Sequence, residues 1–249
     1  MQDFIDKALI LRVGRFREAD LWLRLFTPQR GLLTAFAFGG SRSRRRFVGC
    51  LDALNVVSFL FQPNKTGTYL ALGEGDLLKG RRGLRKSSKR LGFAANCVKF
   101  FEAVHVEPEE SEKSFVLLDQ ALDTIESEDR ISPLFPMLFR LRTAFEQGYG
   151  PSLDTCSQCG KVLKTAVAPT LFVEEGRILC GECSSAGGRR VPLNGRVLSI
   201  LEHVCRNTPK AWCSLELAGE DRRIIYDAVD SLVRWHLGLK WEDGRFLRT

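Results

Sequence analysis

Four cysteines in two tight pairs constrain this chain more than any other feature. Cys156-Ser157-Gln158-Cys159 and Cys180-Gly181-Glu182-Cys183 stand as C-x2-C-x20-C-x2-C, the spacing of a four-thiolate zinc ribbon. The x2 spacing turns two sulfurs onto one ion at about 2.3 Å. Gly160 and Gly181 suit the tight turns this demands. Between the pairs, Thr170–Val173, Glu174-Glu175-Gly176 and Arg177–Leu179 read as a short hairpin. Four thiolates close the tetrahedron, whereas a catalytic zinc keeps a position open for water. Cys156, Cys159, Cys180 and Cys183 are therefore assigned one structural Zn²⁺ per chain. A module of residues 152–190 is too small to bury a core, so the metal supplies its folding energy. The bland alternative is four thiols that bind nothing. A redox role for Cys156 and Cys159 is weaker, because no thioredoxin-like βαβ pattern surrounds them.

Eight cysteines in 249 residues are too few for a disulfide scaffold. Cys50, Cys97, Cys205 and Cys213 stand alone and read as small core residues. Hydrophobic residues at 44% and charged residues at 27% exclude bulk disorder. No run of about 18 apolar residues occurs, so no transmembrane helix is expected. Met1-Gln2-Asp3-Phe4-Ile5-Asp6 lacks the basic and apolar regions of a secretory signal, which points to the cytosol.

The net charge of +7 is segregated. Residues 1–90 carry a net +11, residues 91–150 a net −6 and residues 151–249 a net +2. A basic first third implies a surface for a polyanion. Its candidate phosphate contacts fall in two clusters. One is Arg42, Arg44, Arg45 and Arg46; the other is Arg81, Arg82, Arg85, Lys86, Lys89 and Arg90. Gly and Ser interrupt both, so they read as loops whose arginines can fork onto phosphate oxygens. A solvated basic surface that contacts nothing is the alternative.

Residues 8–76 read as β-structure. Apolar runs at Ala8–Val13, Leu21–Phe26, Leu32–Phe38, Leu54–Phe61 and Thr68–Gly75 are separated by turn signals at residues 27–31 and 63–67. Five short, evenly spaced strands suggest a small barrel, OB-fold or SH3-like. Helical periodicity then sets in. Leu91, Ala94, Ala95, Val98, Phe101 and Val104 form one stripe; Phe115, Leu118, Ala121, Leu122 and Ile125 form a second. Ser132-Pro133 reads as an N-cap and first helical residue, and Gly148 as the stop of that helix. Stripes at Val197–Val204 and Ile224–His236 follow, with His236 read as a satisfied core histidine. The fold class is thus α+β: an N-terminal barrel over 1–80, then a helical domain over 81–249 carrying the zinc module as an insert.

His105-Val106-Glu107 is a decoy for the zinc deaminases, whose H-x-E is followed by P-C-x-x-C. Here Thr155 precedes Cys156, and the second cysteine pair completes the site without histidine. No Walker A, dinucleotide fingerprint or nucleophile elbow occurs. Three histidines leave few candidates for acid–base chemistry, so no catalytic residue is assigned.

Several stretches together resemble the RecO family of bacterial recombination mediators. They are Leu9–Arg12, Arg17–Asp20, Leu25–Gly31, the Gly-rich basic segment Gly39–Ser43, the join from Leu141 through Gly148–Gly160, and the tail Arg234–Gly238 with Arg245–Leu247. The resemblance covers the whole chain. It implies an OB-fold, a helical domain and an inserted zinc module. It also implies a non-enzymatic role: binding single- and double-stranded DNA, annealing complementary strands, and helping RecR to load RecA on SSB-coated DNA. Recognition of the short acidic, apolar C-terminal tail of SSB follows from the same resemblance. For that tail, Arg140 and Arg142, flanking Leu138 and Leu141, are the candidate pocket wall. The competing class is an RNA-binding OB/zinc-ribbon module, since phosphate contacts dominate both. RNA sequence readers add an aromatic stacking platform. Phe16, Phe36, Phe38 and Phe47 are candidates, with barrel core as their default place. A metallohydrolase is disfavoured by the closed quartet.

Overall fold

The computed structural model describes residues 2–183, 187–217 and 219–249. Its contacts divide the chain into two compact units, Met1–Gly92 with Val106–Ser127, and Phe93–His105 with Glu128–Thr249.

In the first unit, β1 (Phe4–Arg15), β2 (Leu21–Thr27), β3 (Gly31–Ala37), β4 (Val56–Pro63) and β5 (Leu70–Lys79) close a barrel in the order β1-β2-β3-β5-β4. The β3–β5 pairing is parallel and the others antiparallel. That order selects the OB-fold over the SH3-like alternative. Side chains alternate as the pleat requires. Leu23, Leu25, Ala35 and Ala37 point inward, with Trp22, Arg24, Thr34 and Phe36 on the outward side. The interior sets small Ala8, Ala35 and Ala37 with large Phe59 and Phe61, and Phe47 and Cys50 plug it from the β3–β4 connection. Mixing small and large residues is how a narrow barrel is filled.

The stripe Phe115, Leu118, Ala121, Leu122 and Ile125 forms α2 (Ser111–Ser127), and all five are buried. Phe115 stacks on Phe26 of β2 with ring centroids 6.1 Å apart. Its contacts place α2 with the barrel, as they do residues 81–92, both of which the expected boundary at residue 80 assigns to the helical part. Charge explains this in part. Arg81 is fully buried and donates to Asp119, to Asp123 (3.0 Å) and to the Leu54 carbonyl (2.7 Å). Lys79 reaches the same carboxylates at 2.8 and 2.6 Å.

The second unit contains most of α1 (Ser88–Ala103), then α3 (Phe135–Glu146), α4 (Gly195–Arg206) and α5 (Gly219–His236). Phe100 of α1 packs edge-on against Phe139 of α3 and Phe246. Helix α3 starts later than Ser132-Pro133 suggests. The Ser132 hydroxyl accepts from Leu134 N–H at 3.2 Å and donates to the Leu215 carbonyl at 2.5 Å, so it caps a turn rather than the helix. Pro136 then occupies the first turn. At the other end Tyr149 N–H donates to Ala144 O and Gly148 N–H to Phe145 O, with Gly148 at φ 81°. That paired pattern is the Schellman stop foreseen at Gly148. Asn194 caps α4 by accepting from Val197 N–H at 2.9 Å. The hairpin between the cysteine pairs is β6 (Thr170–Phe172) and β7 (Arg177–Leu179); β8 (Arg190–Pro192), not foreseen, adds to β6. β9 (Leu239–Glu242) and β10 (Arg245–Arg248) close the chain as a second unforeseen hairpin. No helix among the described residues is long and apolar enough to cross a membrane.

Candidate metal centre and nucleic-acid interface

Each cysteine pair sits on a turn. Cys156 N–H donates to Lys161 O at 2.8 Å and Gly160 N–H returns to Cys156 O at 2.9 Å, with Gly160 at φ 74°. A Cβ is strained at that φ. In the second pair, Cys183 N–H donates to Cys180 O at 3.0 Å and Gly181 N–H to Val167 O at 2.7 Å. A Cβ at Gly181 would stand 2.6 Å from the Val167 oxygen, so only glycine lets these two backbone segments approach. Ser157 N–H ties the first turn to Ile178 O of β7.

The four sulfurs lie within 4.8 Å of one another, and no other potential ligand among the described residues joins them. Tetrahedral bonds of about 2.3 Å put sulfurs about 3.8 Å apart; Cys159 and Cys180 stand at 3.6 Å. The donor set fits one tetrahedral, thiophilic cation. Burial raises the Cys156 thiol, but the backbone N–H groups of Cys159, Cys180 and Gln158 outweigh this and bring it to about 6. Cys183 moves the other way, to about 12, first because its thiol bonds Cys159 and then through burial. The lone cysteines behave as core: Cys50 and Cys97 are buried and Cys205 and Cys213 half-buried, and burial pushes Cys97 up to about 12.

His236 is satisfied as expected, its Nε2 standing 2.7 Å from the Val173 carbonyl and its ring stacked on Tyr149 at 5.6 Å.

The candidate DNA contacts sort by what else they do. Arg81 is a correction: with no solvent exposure and two carboxylates on its guanidinium, it cannot reach a phosphate. Arg90 donates to the Ile125 and Glu126 carbonyls and is half-buried. Arg85 bonds Ala53 O at 2.8 Å and lies 3.6 Å from Asp52. Arg42 pairs with Glu18, and Arg46 holds the Phe38 and Gly73 carbonyls. Lys89 is exposed. Arg44, Arg45, Arg82 and Lys86 are exposed and make no side-chain hydrogen bond or ion pair among the described residues.

The expected tail-binding wall does not form as drawn. Leu138 and Leu141 are buried in the core. Residues two apart on a helix do not share a face. Arg140 accordingly turns to Asn96 (2.9 Å), Trp241 and Phe246, while Arg142 turns to Glu146 and the carbonyls of Val204, Cys205 and Asn207 at the end of α4. Of the four phenylalanines, only Phe47 is core; Phe16 and Phe38 are exposed and Phe36 is half-buried.

Comparison with known proteins agrees with this architecture. A family model described as Recombination protein O N terminal matches residues 1–81, and one described as Recombination protein O C terminal matches residues 85–243. The chain is 44% identical over 249 residues to the DNA repair protein RecO of Nitratidesulfovibrio vulgaris, covering 99% of each. Identity is 45% to the DNA repair protein RecO of Solidesulfovibrio magneticus, over 99% of this chain and 100% of the relative. It is 34% to that of Lawsonia intracellularis, with the same coverage. An OB-fold barrel, a helical part and a cysteine quartet, matched along nearly their whole length, make this chain a member of the RecO family of DNA repair proteins.

Proposed function

We propose that the chain binds single- and double-stranded DNA through its barrel unit, anneals complementary strands, and with RecR helps to load RecA on SSB-coated DNA. The carrying observation is the set of four exposed, uncommitted cations, Arg44, Arg45, Arg82 and Lys86, on a unit with an OB-fold barrel. Family membership supports the same reading. Phosphate contacts of this kind are indifferent to sequence. Neutralising both backbones is what lets two like-charged strands approach, so annealing follows from the same surface. In this reading no residue is catalytic. One Zn²⁺ on Cys156, Cys159, Cys180 and Cys183 is structural, because four thiolates leave no open position.

For the acidic tail of SSB, the second unit offers a cavity of about 480 Å³ lined by Leu134, Leu215 and Leu217 with Arg196 and Arg222. Glu216 also lines it, and Arg196 lies 3.4 Å from Asp221. Apolar lining beside cations fits such a tail better than the buried stretch of α3.

Salt dependence tests the DNA reading. Each cation engaged with a single strand contributes about −0.7 to the slope of log K against log salt. Replacing Arg44 and Arg45 by alanine, or Arg82 and Lys86, should flatten the slope by about 1.4 and weaken unrelated sequences equally. Unchanged affinity and slope in both double variants would sink the assignment.

A further inference from the structure

Aromatic rings crowd one outward side of the barrel. Phe16 stands in the β1–β2 loop, Phe36 on β3, Phe38 just past it, and Tyr69 in the β4–β5 loop. Phe36 touches all three others, with centroids 5.1 Å from Phe16, 6.2 Å from Phe38 and 5.9 Å from Tyr69. Phe38 and Tyr69 close the set at 6.0 Å. Phe16, Phe38 and Tyr69 are nevertheless 51%, 36% and 41% exposed. A patch of mutually packed rings facing water marks an interaction site rather than a core.

The same side is cationic. The Arg17 guanidinium lies 5.3 Å from the Phe16 centroid. Arg46 is held at the end of β3 by the Phe38 carbonyl. Arg12 and Arg24 are direct partners in the β1–β2 register, and Arg24 donates to Thr34 on the outward face. The nearby acids of the β1–β2 loop are engaged elsewhere: Glu18 by Arg42, and Asp20 by the Gly39 N–H at 2.7 Å. Gly14 extends the surface. It is paired with Trp22, and a Cβ there would stand 2.3 Å from the indole, so the ring lies over bare backbone.

We propose that Phe16, Phe38 and Tyr69, seated on Phe36, form a stacking platform for the unpaired bases of a single strand, with the flanking arginines on its phosphates. The proposal rests on the DNA-binding reading and deepens it. Phosphate contacts alone do not tell one strand from two. Exposed rings do, because every unpaired base offers a face and a duplex hides its own. Rings fixed by one another lose little freedom on binding. The platform is therefore the element that selects single-stranded over duplex DNA.

The test uses the full chain, a labelled oligo-dT and a duplex of the same length. Phe38→Leu with Tyr69→Leu keeps apolar area and removes both rings. Oligo-dT affinity should fall at least about 5-fold per ring lost. Duplex affinity and the oligo-dT salt slope should stay at wild-type level. Phe38→Trp, which keeps a ring, should hold or raise oligo-dT affinity. Circular dichroism of each variant checks that the barrel is intact, and Phe16→Leu supplies an independent ring. Unchanged oligo-dT affinity in the leucine variants, or equal losses on duplex and single strand, overturns the platform. Alanine variants that fail where leucine variants bind fully would mean an apolar protein contact instead, which also overturns it. If the wild-type chain binds neither DNA, the DNA-binding reading itself falls; if it binds both and only the arginine variants weaken, the platform alone falls.

Discussion

Asp6 shows how one side chain can oppose the fold that holds it. It is buried on β1, and its Oδ2 has no hydrogen-bond partner. Burial pushes its carboxyl above the ordinary value of 3.8, against the Lys7 N–H, the Thr27 hydroxyl and Arg30, which stands 3.7 Å away. A group whose folded pKa is raised binds more protons folded than unfolded. Stability therefore falls as pH rises from about 4 through the folded value. Asp6→Asn should remove this fall and stabilise the chain by about 1 kcal/mol at pH 7, the order of a relieved buried polar group. Urea unfolding at pH 5 and pH 7 measures both effects. A variant less stable than wild type at pH 7 would show that attraction to Arg30 outweighs burial.

At the scale of the element, α2 belongs to the barrel unit because two forces converge on it. Phe115 stacks on Phe26, and Asp119 and Asp123 meet Lys79 and Arg81. Burial alone would raise Asp119, but bonds from Lys79 and Arg81 outweigh it and hold its carboxyl below the usual range. With the folded pKa depressed, this stabilisation is complete above the unfolded value near 4 and is lost as pH falls through the folded one. Arg81→Ala leaves Lys79 on both carboxylates but strips the buried Leu54 carbonyl of its donor and empties a fully buried site, so it should cost about 1–3 kcal/mol. Part of the acid-side loss should vanish with it. At temperatures where it stays folded, the variant should bind DNA as wild type does, because Arg81 never reaches solvent; a flattened salt slope would contradict that. The sequence makes the strands legible through period-2 runs and turn residues, and the quartet through ligand chemistry, which dictates spacing. It does not reveal burial of a charge. Arg81 sits in a dense basic run, and run density carries no information about which member faces Asp119. Periodicity likewise exposes the apolar stripe of α2 without naming its partner. The sequence names Phe16, Phe36, Phe38 and Phe47 together without sorting them, for a related reason: aromatic residues are the default core, and only the register of β3, with Ala35 and Ala37 inward, turns Phe36 outward.

For the molecule as a whole, the metal module is fastened to the helices rather than free-standing. The Val173 carbonyl meets His236 of α5, Arg189 pairs with Asp227, and Arg206 of α4 bonds Asp154 at 2.8 Å. Purified protein should carry one zinc per chain. Chelation, or Cys180→Ala, should open residues 152–192 to protease and lower the unfolding midpoint, while the barrel unit keeps its secondary structure. Elemental analysis without stoichiometric zinc in protein never exposed to chelator would end the metal assignment.

The barrel unit is assembled from two separated stretches of chain, and that has a meaning during synthesis. All five strands are synthesised before α2. At ~5–20 residues per second, Arg81 waits roughly 2–8 s for Asp119 and Asp123 to be polymerised. Through that interval Phe26 lacks its cover and the cation lacks its counter-charges. A chain that ends before Ser111 thus holds all five strands with Phe26 and Arg81 deprived of these partners, and the first unit is complete only once Ser127 has been made.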